Sequence, residues 1–258
     1  MKRPSKIIIL LLGGLLIMIG LSACREKIPE NRTKEQYELE KEFQPLFDFL
    51  AEEEKDLSNV KLYSSKIFMM DENANSKISS SVYLKPDNTG EYAIEQGGQT
   101  TEFLVHYNNR KLQYNKEVPQ EYDLEVFNLK LEPKFFQELS IFDYMTKYSG
   151  TGMKRIDYNI VDASKYFNNL KEKYGLKKDC STSVDVIINS EGHFELILEF
   201  SDEERLLVIT NSIVIDMEWL VNKKVIIDGC ENVSANIPYY VYIFENSKSH
   251  ISSSQIKR

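Results

Sequence analysis

The chain has 258 residues, 42% of them hydrophobic and 28% charged, and 40 acidic side chains against 32 basic ones leave a formal net charge of −8. That balance offers no basic footprint for nucleic acid or for anionic lipid headgroups. With 15 Tyr and 13 Phe beside one Trp, the chain has the aromatic mass of an ordered domain and not the composition of a disordered one.

Lys2, Arg3 and Lys6 form a basic head, and an apolar run from Ile7 to Leu21 follows, broken only by Gly13, Gly14 and Gly20. A basic head, an apolar stretch and small residues at a cleavage site mark a secretory signal peptide. The run is shorter than the ~20 residues a spanning helix needs. Leu21-Ser22-Ala23-Cys24 resembles the lipobox of bacterial lipoproteins. That resemblance implies removal of 1–23, diacylglycerol on the Cys24 thiol and anchoring to the extracytoplasmic face of the cell membrane by N-terminal acyl chains. The Lys-, Asn- and Ile-rich composition reads as that of a Gram-positive bacterium of low GC content. Cleavage takes away Lys2, Arg3 and Lys6 and no acid, so acyl chains and not surface charge must hold the protein at the membrane. Residues 24–33, polar and containing Pro29, are expected to be a lipidated tether. Residues 34–246 then form a single α+β domain, and 247–258 a flexible tail.

Helical spacing begins near Lys34, with Leu39, Phe43, Leu46, Phe47 and Leu50 on one face. Pro45 interrupts it, either by a kink or as the first position of a second helix. The period then changes to two. Val60–Met70 is extended; Ile78, Val82 and Leu84 alternate with polar residues; Pro86–Gly90 is a turn; Tyr92 and Ile94 resume the alternation. Phe103, Val105 and Tyr107, the turn at Asn108-Asn109, and Leu112 with Tyr114 complete an antiparallel meander of three or four strands. Phe135, Leu139, Phe142 and Met145 have helical spacing after Pro133. Arg155–Val161 is a short strand, and a helix capped by Asp162 carries Ala163, Tyr166, Phe167, Leu170 and Tyr174 up to Gly175. A second set of strands follows in Val184–Ile188, Phe194–Phe200, Leu206–Met217, Val225–Ile227 and Tyr239–Phe244.

Catalytic and metal motifs are not evident. His106, His193 and His250 have no second ligand at metal spacing, and there is no nucleophile elbow, phosphate loop or dinucleotide fingerprint. The expectation is a protein that is not an enzyme and carries no cofactor and no metal. Cys180 and Cys230 are either a disulfide or two separate buried thiols.

The order of elements predicts an α+β fold: a curved antiparallel β-sheet, or half-barrel, covered by about three helices. A sheet curled over helices behind a lipobox resembles the LolA-like lipoprotein-carrier half-barrels, which hold acyl chains in an apolar cavity. No signature residue of that family carries over. The resemblance implies an apolar or amphipathic ligand between sheet and helices, in a cavity walled by Val82, Leu84, Ile94, Phe135, Phe142, Val186, Phe194, Leu196, Leu198 and Phe200. The alternative is a protein-interaction module of the envelope or surface with a filled core, whose partner is an envelope protein.

Overall fold

The computed structural model describes residues 28–148, 152–159, 166–189 and 192–215. The signal peptide, Cys24, Trp219, Cys230 and the strands expected at Val225–Ile227 and Tyr239–Phe244 lie outside the described residues. The N-terminal helical region is two helices, α1 (Lys34–Glu42) and α2 (Gln44–Ala51). Thr33 and Gln36 cap α1 reciprocally, through Gln36 N to Thr33 Oγ1 at 3.2 Å and Thr33 N to Gln36 Oε1 at 2.9 Å. Pro45 stands in the first turn of α2, where its missing N–H costs nothing. Arg32 belongs to the folded body and not to the expected tether, because its guanidinium is buried.

Five strands then run outward as a meander: β1 (Leu62–Asp71), β2 (Ser76–Leu84), β3 (Thr89–Gln96), β4 (Gln99–Asn108) and β5 (Lys111–Tyr114). Their hairpins use the expected turn chemistry. Gly97 and Gly98, at φ 59° and 77°, form the two-residue turn between β3 and β4, a geometry matched to the twist of paired strands. After β5 the chain crosses the sheet through α3 (Leu124–Phe127) and α4 (Pro133–Glu138). It re-enters at the far edge as β6 (Ser140–Met145) and walks back through β7 (Lys154–Asn159), helix α5 (Asn168–Lys173), β8 (Ser181–Ile188), β9 (His193–Ser201) and β10 (Arg205–Val214). The order β5-β4-β3-β2-β1-β10-β9-β8-β7-β6 makes one open, curved, antiparallel ten-stranded sheet, with β1 and β10 paired at its centre from Leu62↔Val214 to Asp71↔Arg205.

Register puts one residue from each strand in rows across the sheet. Tyr92, Val82, Ser65, Asn211, Leu196, Val186 and Ile156 form one such row. All of them are buried, and the helices pack on this face: Phe47 of α2 stacks on Phe136 of α4 at 4.0 Å, and Phe135 of α4 meets Phe167 at 5.7 Å. Phe167 in turn meets Phe200 of β9 at 5.4 Å.

Two expectations of helix change. The stretch after Pro133 stops at Glu138, and Ser140–Met145 is a strand. The α4 carbonyls are taken by a distant segment: Arg32 donates to Phe136 O at 2.8 Å and Leu139 O at 2.7 Å, and Asn31 to Gln137 O at 3.0 Å. Cationic donors at a helix C-terminus close it. Phe142 therefore does not face the core. It is the extra residue of a β-bulge between Ile141 and Asp143, on the edge strand, and is 78% exposed. Tyr166, expected on a buried helical face, is also substantially exposed.

Candidate functional site

The chain between β5 and α4 lies across the core face of the sheet and is held there by tyrosine hydroxyls. Tyr92 donates to Gln120 O at 3.0 Å, Tyr107 to Asn128 Oδ1 at 2.9 Å, and Tyr122 and Ser65 share a hydrogen bond at 2.9 Å. The Tyr122 amide donates to the Tyr114 hydroxyl at 3.3 Å. These side chains stand on β1, β3, β4 and β5 because period-two alternation points them to the buried face.

Tyr63 completes this polar layer. Its single proton faces two acceptors, the Phe127 carbonyl and Asn211 Oδ1 at 2.7 Å, while Asn211 Nδ2 has no protein partner among the described residues. Turning the Asn211 amide over removes the conflict at Tyr63: Nδ2 donates to the Tyr63 oxygen, and Tyr63 donates to Phe127. Burial pushes the Tyr63 and Tyr122 hydroxyls far above the ordinary phenol range, so both stay protonated, and it pushes Tyr92 up to about 12.

A groove of about 620 Å³ opens between β1, β2 and this crossing segment. Ile67, Met69 and Ile78 form its apolar floor; the wall carries Tyr122, Asp123, Glu125, Lys173 and Tyr174. Asp123 caps α3 through the Glu125 amide at 2.9 Å. It also accepts Lys173 Nζ at 2.8 Å and the Tyr174 hydroxyl. Burial raises the Asp123 pKa, but the bonds from Lys173, Tyr174 and the Glu125 amide outweigh it and leave the carboxyl below its ordinary value. A second groove, about 420 Å³, lies on the other side of α3 and shares Leu124 and Glu125 with the first.

Of the residues expected to wall a cavity, Val82, Leu84, Phe135, Val186, Phe194, Leu196, Leu198 and Phe200 are buried together in the core. Ile94 packs against them partly buried, and Phe142 is exposed on the edge. The two grooves beside α3 are lined by other residues, and so is a third of about 390 Å³ near Lys55. Periodicity named the rows next to the groove and, of its wall, only Tyr174. The signal available was Asp123 preceding Leu-Glu-Val, a helix start in a stretch with no period of its own.

Cys180 is buried and its thiol is free among the described residues, while Cys230, its candidate partner, lies outside them. Among the described residues no group of His, Cys, Asp or Glu is placed to hold a metal ion, and no helix is long and apolar enough to cross a membrane. No protein-family model matches the chain, and no curated protein matches it in sequence.

Proposed function

We propose that the chain is a lipoprotein, anchored through acyl chains on Cys24 at the extracytoplasmic face of the cell membrane, that binds an apolar or amphipathic ligand without chemistry. The sheet and its crossing segment act as a half-barrel of the lipoprotein-carrier kind. The observation that carries this reading is the groove of about 620 Å³ with Ile67, Met69 and Ile78 on its floor and a polar wall opposite. An apolar surface with a few placed polar groups is the usual composition of a small-molecule site. The groove lies beside the buried rows that the sequence pointed to and uses the same face of β1 and β2.

Photo-crosslinking tests it. A diazirine-bearing alkyl probe is activated on membranes carrying the full chain, and adducts are mapped by peptide mass spectrometry. Adducts on the peptides containing Ile67, Met69 and Ile78 support the reading; adducts absent from those peptides overturn it. The same sample reports the anchor, since the N-terminal peptide is expected to begin at an acylated Cys24.

A second reading, an envelope-protein interaction module, is favoured by Phe142, a large apolar side chain exposed on an edge strand. Crosslinks from Phe142 to another envelope protein, with none in the groove, would select it.

A further inference from the structure

We infer that the groove on β1 and β2 selects amphipathic molecules with a cationic, ammonium-type head; the inference rests on the ligand-binding reading above. The floor of Ile67, Met69 and Ile78 sets the apolar end. The wall sets the sign of the other end. It carries three carboxylates, Glu121, Asp123 and Glu125, and one ammonium, Lys173. That ammonium is already engaged, held by Asp123 at 2.8 Å and by Glu125 at 3.0 Å. An anionic head would therefore find no uncommitted cation in the lining and would meet an excess of negative charge. A cationic head meets Glu121, which is exposed, and Glu125, whose side chain is 68% exposed and turned to water beyond its single contact with Lys173.

An aromatic ring strengthens the same preference. Tyr174 lines the groove half-buried, and the face of such a ring attracts ammonium groups, most of all where water is partly excluded. The Tyr174 hydroxyl is bonded to Asp123, which fixes the ring beside the carboxylates. The acid excess of the whole chain, −8, adds a weak long-range attraction of the same sign. Because the wall is half in solvent, the discrimination is modest and sensitive to salt.

The test uses the full chain in nanodiscs of neutral lipid, with methyl-labelled methionine and isoleucine. Octyltrimethylammonium, octanoate and octyl glucoside are titrated separately, and the methyl shifts of Met69 and Ile78 are followed. The ammonium compound is expected to bind about tenfold more tightly than octanoate at low salt, and the gap should close in about 0.5 M NaCl. The double substitution Glu121→Gln, Glu125→Gln should erase the preference of the groove for octyltrimethylammonium over octanoate. Equal or tighter binding of octanoate overturns the inference and leaves the groove itself intact. If none of the three compounds moves the Met69 and Ile78 methyls, the ligand-binding reading falls with it.

Discussion

Ser65 and Tyr122 join their hydroxyls at 2.9 Å, both buried, and so tie the central strand β1 to a segment that begins outside any periodic pattern. Ser65 and its register partner Asn211 are the two polar residues in the middle of an otherwise apolar or aromatic row. The crossing segment supplies the partner of Ser65, whereas Asn211 is bonded to Tyr63 of β1, which itself donates to Phe127 O. Phenylalanine at Tyr122 would take from the buried Ser65 hydroxyl its partner on the crossing segment, at a cost of about 1 kcal/mol. Tyr122→Phe should lower the urea midpoint and speed amide exchange across 120–128 more than elsewhere. Uniform exchange would show that the hydroxyl does not fasten this segment.

Arg32 and Glu40 form the second buried fastening. Arg32 Nε and Nη2 donate to Glu40 at 2.9 Å, and Tyr158 donates to the same carboxylate at 2.8 Å. Removing one partner strands the other charge in the core, so Glu40→Ala is expected to cost about 3–5 kcal/mol. Arg32→Met with Glu40→Leu should cost clearly less than the sum of the two single changes, the remainder being the lost bonds to Phe136 O, Leu139 O and the Tyr158 hydroxyl, and a double-mutant cycle in urea measures that coupling directly.

A pH effect follows from Asp185. Burial first, and then the side chain of Asp157 across the strand pair, raise its pKa from 3.8 to about 6. Asp143, Arg155 and Glu199 complete the charged surroundings, with Arg155 paired to Asp157. The folded protein holds this proton more tightly than the unfolded chain, so its contribution is full below the unfolded value and is lost as pH rises through about 6. Asp185→Asn should therefore stabilise the protein near pH 8, by about 1 kcal/mol once water at the half-exposed carboxyl is allowed for, and change little near pH 4. Thermal midpoints at the two pH values check this; an equal effect at both would contradict it.

Legibility followed periodicity. The alternation in His193–Ser201 and in Gln99–Asn108 appears in the folded chain as buried and outward residues in turn. Pro45 left two options, and the chain takes the second helix. Where long-range contacts decide, the pattern misleads. Phe135, Leu139, Phe142 and Met145 keep helical spacing, yet Arg32, more than a hundred residues earlier, ends the helix at Glu138. The groove wall was harder still, because Tyr122, Asp123 and Tyr174 are brought together by tertiary contacts and share no local spacing.

Phe142 offers a check on that correction. Phe142→Ser should leave stability within about 0.5 kcal/mol, as a surface change does. Leu198, fully buried in the core, cannot take a larger ring without strain, and Leu198→Trp is expected to cost about 1–3 kcal/mol. A large loss at Phe142 and none at Leu198 would reverse the assignment of the two faces.

The central claim is that the groove over Ile67, Met69 and Ile78 is the binding site, and filling it is the most direct test. Ser80 lines the same groove, so a tryptophan there occupies the space a ligand would use. Binding of a dansyl-labelled alkylammonium to the full chain in nanodiscs, measured above the nanodisc background, should be saturable. Ser80→Trp should weaken it by about tenfold or more, while the thermal midpoint moves little because the ring enters open space and not a packed core. Unchanged binding in Ser80→Trp, with the fold intact, would contradict the account.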